Sequence, residues 1–186
     1  MALPKSYRQH LSPAELDFLA CCEFVSITPL ERVDQVKLIS ASYGPFRPPV
    51  KADIPLWLAL SLRKRRKAQI NPPKWMDPEN LQKKFEEEVA NDQFSLLPFH
   101  TFGVAKALLD NCQEDIRSTG WDPDQIRTLL KDIRERRQHK ARQGLGVLDG
   151  KYLQLDNITL QELNEIRPFF SRANAMLARL NADDEN

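Results

Sequence analysis

Pro55-Leu56-Trp57-Leu58-Ala59-Leu60-Ser61-Leu62-Arg63-Lys64-Arg65-Arg66-Lys67 is the stretch that decides how this chain is read. Proline suits the first turn of a helix, where its missing N–H would have had no helical partner. Leu56, Leu58, Ala59, Leu60 and Leu62 then follow without the apolar–polar alternation of a strand. The segment is expected to be a helix buried on most sides, emerging at the surface where five consecutive cations end it.

Upstream, the signals are mixed. Ser12 can cap a helix with Pro13 at its first position and Glu15 completing a capping box, followed by Leu16, Phe18, Leu19 and Cys22. After Glu23 the period changes. Val25 and Ile27 alternate with Ser26 and Thr28, and Val36 and Leu38 with Lys37, as in half-buried strands. Tyr43-Gly44-Pro45-Phe46-Arg47-Pro48-Pro49 reads as a loop, since neither a helix nor an inner strand survives that density of proline and glycine. Val50 to Ile54 returns as one more short strand. Residues 1–54 are thus expected to form a small mixed α/β module.

Downstream, the pattern is helical to the end. Asp77-Pro78-Glu79 starts a helix with Leu81, Phe85 and Val89 on one face. Pro98 precedes another, carrying Phe102, Ala105, Leu108 and Leu109. Asp122-Pro123 opens a long one with Ile126, Leu129, Leu130 and Ile133 inward. Thr159 and Glu162 form a capping box for a last helix that Pro168 is expected to kink or break. The fold expected is mainly α: a helical bundle over residues 55–182, preceded by the small β-containing module. An acidic tail, residues 183–186, should fray.

Composition narrows the function. The 186 residues are 41% hydrophobic and 28% charged, which marks a globular chain. A net charge of +1 argues against a broad cationic face for DNA. Cys21, Cys22 and Cys112 supply no disulfide framework, and no apolar run approaches the ~20 residues that span a bilayer. Met1 to His10 lacks the apolar core of a secretory signal, so an intracellular protein is expected.

No catalytic constellation assembles. Gly144-Leu145-Gly146 with Gly150 follows a helix, not a strand, and reads as a helix-ending turn. His10, His100 and His139 lie apart without a second ligand at metal spacing, and Cys112 reads as a small core residue. No cofactor is expected. Arg63, Lys64, Arg65, Arg66 and Lys67 are the sharpest charge feature: a solvated helix end, a contact for DNA or an acidic protein, or a nuclear import signal. Lys131, Arg134, Arg136, Arg137, Lys140 and Arg142 are interleaved with Asp132 and Glu135, which favours a solvated or inter-subunit salt-bridging face over a phosphate track. Trp57, Trp75 and Trp121 are each core candidates. Trp75, in Pro72-Pro73-Lys74-Trp75-Met76, is either a cap over the bundle or an interface anchor.

Four blocks resemble one family. Pro55 to Leu60 with its cationic end and Pro72 to Met76, the loop Gly44 to Pro48, the stretch Ile126 to Ile133, and Leu155 to Asn164 look like the Psf-two family of GINS subunits, in family order. The resemblance implies a β-containing N-terminal (B-type) domain followed by a helical (A-type) one. It also implies a non-catalytic structural subunit of a heterotetramer with Psf-three, Sld-five and Psf-one subunits. That tetramer joins the MCM ring and the Cdc-forty-five protein in the nuclear CMG helicase of chromosomal DNA replication, where MCM hydrolyses ATP. The cationic run is longer than the resemblance leads one to expect, so its role is read from the residues alone. Two other readings stay open: a nucleic-acid-binding helical module using the cationic helix ends, and a helical enzyme with an unrecognised site.

Overall fold

The computed structural model describes residues 10–39, 41–145 and 156–184. Helix α1 (Pro13–Cys21) begins with the expected capping box: the Glu15 amide donates to Ser12 Oγ at 3.3 Å, and the Ser12 amide donates to Glu15 Oε2 at 2.8 Å. Strand β1 (Phe24–Pro29) turns Val25 and Ile27 into the core. A two-stranded ladder of β2 (Val36–Lys37) and β3 (Ser42–Tyr43) follows, then β4 (Ala52–Pro55) and helix α2 (Leu56–Lys64). Strand β5 (Ala68–Ile70) closes a three-stranded antiparallel sheet in the order β4-β1-β5.

The chain is therefore not helical throughout after Pro55, as its pattern led one to expect. Ala68 and Ile70 are buried and pair beside β1, with Gln69 between them half-exposed. Three residues are too few for a period to register. The sheet thus takes strands from both sides of α2.

The bundle follows a short 3-10 turn, Lys74–Met76. Helices α3 (Pro78–Ala90), α4 (Thr101–Asn111), α5 (Gln113–Ser118), α6 (Pro123–Leu145) and α7 (Leu160–Asp184) complete the described chain. Mainly α with a small sheet first is the architecture observed. Ile27, Ile54, Leu56 and Ile70 belong to the same buried cluster as Leu81, Leu108, Ile126 and Ile133, so sheet and bundle share one core. Trp75 and Trp121 pack half-buried on that cluster, whereas Trp57 is 41% exposed on the outer face of α2. On α3 the inward stripe runs through Leu81 and Glu88 instead of Val89, which is 51% exposed. Proline 168 does not end α7, which continues to Asp184. The ring removes the N–H that would have reached the Asn164 carbonyl four residues back, a local loss that the rest of the helix tolerates.

Two joints hold distant parts together. Asn164 on α7 exchanges two hydrogen bonds with the backbone of Leu11: the Leu11 amide donates to Oδ1 at 2.5 Å, and Nδ2 donates to the Leu11 carbonyl at 3.0 Å. The other joint is steric. Helices α1 and α4 approach so closely at Gly103 that an added Cβ would lie 2.6 Å from the Ala20 Cβ. Gly103→Ala should therefore destabilise despite its better helix propensity, by about 1 kcal/mol net of overpacking and propensity. A urea midpoint lowered at unchanged slope is the measurement.

Candidate interaction site

The bundle contains an ionic core that the sequence did not single out. Arg137 on α6 and Glu88 on α3 have fully buried side chains. Each of the five guanidinium N–H groups has an acceptor. Nη1 donates to Glu88 Oε1 at 2.6 Å and to the Ser95 carbonyl at 3.0 Å. Nε donates to Glu162 Oε1 at 2.7 Å; Nη2 donates to Glu162 Oε2 at 2.9 Å and to the Asn157 carbonyl at 2.7 Å. The Phe94 ring lies under the guanidinium, 4.7 Å from centroid to Cζ.

Each carboxylate is satisfied from several sides. Glu88 accepts from the Ser95 amide and hydroxyl, both at 2.8 Å, and from Lys140 Nζ. Glu162 also accepts from the Thr159 amide at 3.0 Å and hydroxyl at 2.8 Å, so the capping carboxylate of α7 doubles as half of the Arg137 fork. Asn157 takes the left-handed conformation (φ 57) that brings its carbonyl to Arg137, and asparagine is among the few residues that visit that region readily. Burial pushes the Glu88 carboxyl up, but the donors Lys140, Ser95 and Arg137 outweigh it and hold it below its ordinary range. Part of the cationic stretch of α6 is thus used within the chain: Arg134 pairs with Glu165 at 2.6 Å, while Arg137 and Lys140 pair inward. One buried Arg in a run of surface-type residues has no pattern to betray it.

The predicted cationic run has a split role. Helix α2 ends in a Schellman turn: the Arg66 amide donates to the Arg63 carbonyl at 2.8 Å, and the Lys67 amide to the Leu62 carbonyl at 3.0 Å. Arg63 faces inward across the turn. Its Nε meets Asp115 Oδ2 at 2.8 Å and its Nη2 meets Glu114 at 3.3 Å, both on α5. Asp115 Oδ2 also accepts the β5 amide of Ile70 at 3.2 Å, which links helix end, sheet edge and bundle. Lys64, Arg65 and Arg66 are exposed and Lys67 half-exposed, and none of the four side chains has an ion pair among the described residues.

Arg66 sits at φ +57, where most sequences place glycine. Arg66→Gly should therefore raise stability by about 0.5–1 kcal/mol, the relief of a left-handed side chain less the extra freedom of the unfolded glycine. A thermal midpoint shifted upward checks it.

Other predicted groups are placed plainly. Trp75 lies in the 3-10 turn, half-buried against the core beside the fully buried Met76. Burial, against a lowering from Arg63 and a further raising by Asp115, pushes the Cys112 thiol up to about 12, so it stays protonated in the core. His139 is exposed, Gly144 lies within α6, and Gly146 and Gly150 fall outside the described residues. Beyond its first two turns α7 presents Phe169, 54% exposed, and Met176, 68% exposed. Phe169 and Ile166 line a groove against Phe94 and Ala141.

Residues 75–181 match the family model described as the GINS complex protein helical bundle domain, which sets the class: a GINS-type bundle protein. Residues 12–71, ending just after β5, match the model described as the PSF2 N-terminal domain. The chain is 45% identical to the DNA replication complex GINS protein psf2 of Schizosaccharomyces pombe, over 91% of each chain. It is 35% identical to the GINS protein PSF2 of Candida albicans over 100% of this chain and 95% of that one, and 35% identical to human PSF2 over 88% of each. The chain belongs to the PSF2 family of GINS complex proteins.

Proposed function

We propose that the chain is a non-catalytic structural subunit of the GINS heterotetramer, acting in the CMG helicase during initiation and elongation of nuclear DNA replication. The observation that carries this is the match of both family models, in order, over residues 12–181. Its partners are then the Psf-three, Sld-five and Psf-one subunits, with the MCM ring and the Cdc-forty-five protein beyond them. The exposed Phe169 and Met176 of α7 supply the kind of apolar face that a permanent assembly covers. A small-sheet domain and a bundle domain divided near Pro55 are part of the same reading, with β5 returning to the sheet after the division.

The alternative, a nucleic-acid-binding module using both cationic helices, is weakened by the internal pairing of Arg134, Arg137 and Lys140. Co-expression with the three other GINS subunits tests the proposal. A single species with the mass of one copy of each is expected, while the chain alone should associate or precipitate. A chain that stays a stable monomer and is excluded from the complex would overturn it.

A further inference from the structure

The outer face of α2 has a composition that assembly alone does not explain. Trp57, Ser61 and Lys64 fall at i, i+4 and i+7, on one stripe of the helix, and all three are exposed. Arg65 and Arg66, both exposed, follow directly in the Schellman turn. Lys64, Arg65, Arg66 and Lys67 have no ion pair among the described residues, although α6, richer in cations, pairs Lys131, Arg134, Arg137 and Lys140. A second feature points the same way. Arg66 holds a backbone conformation that glycine would take without strain, and strain retained at an exposed charge calls for a use of that charge.

We infer that this face docks an acidic peptide segment of a partner protein, its acidic cluster on Lys64, Arg65 and Arg66 and an apolar side chain on Trp57. The spacing sets the ligand. Seven helical residues separate Trp57 from Lys64 by ~10 Å, about three residues of extended peptide. Charge on this face is segregated: only Ser61 lies between the indole and the first cation on the stripe, and Glu114, 89% exposed, borders the turn through its pair with Arg63. A nucleic acid carries its charge evenly and would lay phosphates over the uncharged middle and beside that acid. A peptide can place its charges at one end. This goes beyond membership of the complex and names a surface suited to a partner of opposite charge.

The test uses a fluorescein-labelled peptide with a phenylalanine three residues before an Asp-Asp-Glu-Glu run. It is titrated by anisotropy against the full-length chain, and again against the chain co-purified with its GINS partners. The mass of that complex is read separately, so failed assembly and failed peptide binding are distinct results. Binding should weaken at least tenfold when salt rises from 50 to 500 mM. It should also weaken at least tenfold in Arg65→Gln with Arg66→Gly, a pair that removes charge while relieving the strained turn. Trp57→Ala, or alanine for the peptide phenylalanine, should give a similar loss. Unchanged affinity in the Arg65/Arg66 variant would overturn the proposal. So would a single-stranded oligothymidine that displaces the peptide at equal concentration and is lost on the same substitutions, since the face would then be a phosphate site.

Discussion

Arg137→Met is expected to destabilise the chain by about 3–5 kcal/mol, the range for leaving a buried carboxylate without its counter-charge. Two carboxylates lose their principal partner at once, because Glu88 Oε1 and both oxygens of Glu162 accept from Arg137. Lys140 still reaches Glu88, but among the described residues no other cation contacts Glu162. The carbonyls of Ser95 and Asn157 lose a donor as well, so the connector before α4 and the entry to α7 should loosen together. Adding Glu88→Gln and Glu162→Gln to Arg137→Met should recover part of the loss, since glutamine still serves a capping box and no carboxylate is stranded, while Lys140 keeps the Gln93 carbonyl as an acceptor. Urea unfolding of the single and triple variants measures both statements. The wild type should carry a matching pH signature. Glu88 titrates below its ordinary value of 4.5 in the fold, so its contribution is complete above that value and is lost as pH falls through the lower, folded one. Glu88→Gln should flatten the fall of stability with acid below the ordinary carboxylate range.

Asp115→Ala is expected to cost about 2–3 kcal/mol, because it strands a charged donor and a backbone donor together. The same Oδ2 holds Arg63 Nε and the Ile70 amide, and Asp115 is largely buried, so water replaces it poorly. Among the described residues Arg63 then retains the Glu114 carboxylate alone, whose side chain is 89% exposed and adds little. Asp115→Asn should lose about half as much, since its amide oxygen keeps one acceptor but not the charge. Hydrogen exchange at Ile70 should rise well above the drop in global stability in Asp115→Ala, which separates loss of the local link from general weakening.

Much of the fold was legible because it is written in signals a few residues long. Ser12 with Glu15, Asp77-Pro78, Asp122-Pro123 and Thr159 with Glu162 each mark a helix start, and α1, α3, α6 and α7 begin there. Val25 and Ile27 marked β1 by alternation. What escaped depends on pairing at a distance. Ala68-Gln69-Ile70 becomes a strand only because β1 lies open beside it, and nothing in three residues records that. Val89 and Glu88 sit one residue apart on α3, and hydrophobicity favours the wrong one. Two cations, Arg137 and Lys140, respectively 49 and 52 positions later, let Glu88 be the inward residue. Among five consecutive cations, the sequence likewise had no means to tell that Arg63 turns to Asp115 while its neighbours make no ion pair among the described residues.

The Leu11–Asn164 exchange has a consequence for how the chain comes into being. Its two members lie 153 positions apart, so at ribosomal speeds of ~5–20 residues per second the first waits roughly 8–30 s for the second. Until then the Leu11 backbone must satisfy itself with water, and α1 is held mainly by its contact with α4. The clasp is thus a completion mark: a chain truncated before α7 leaves its own beginning unfastened, exposed to proteases that a finished chain excludes.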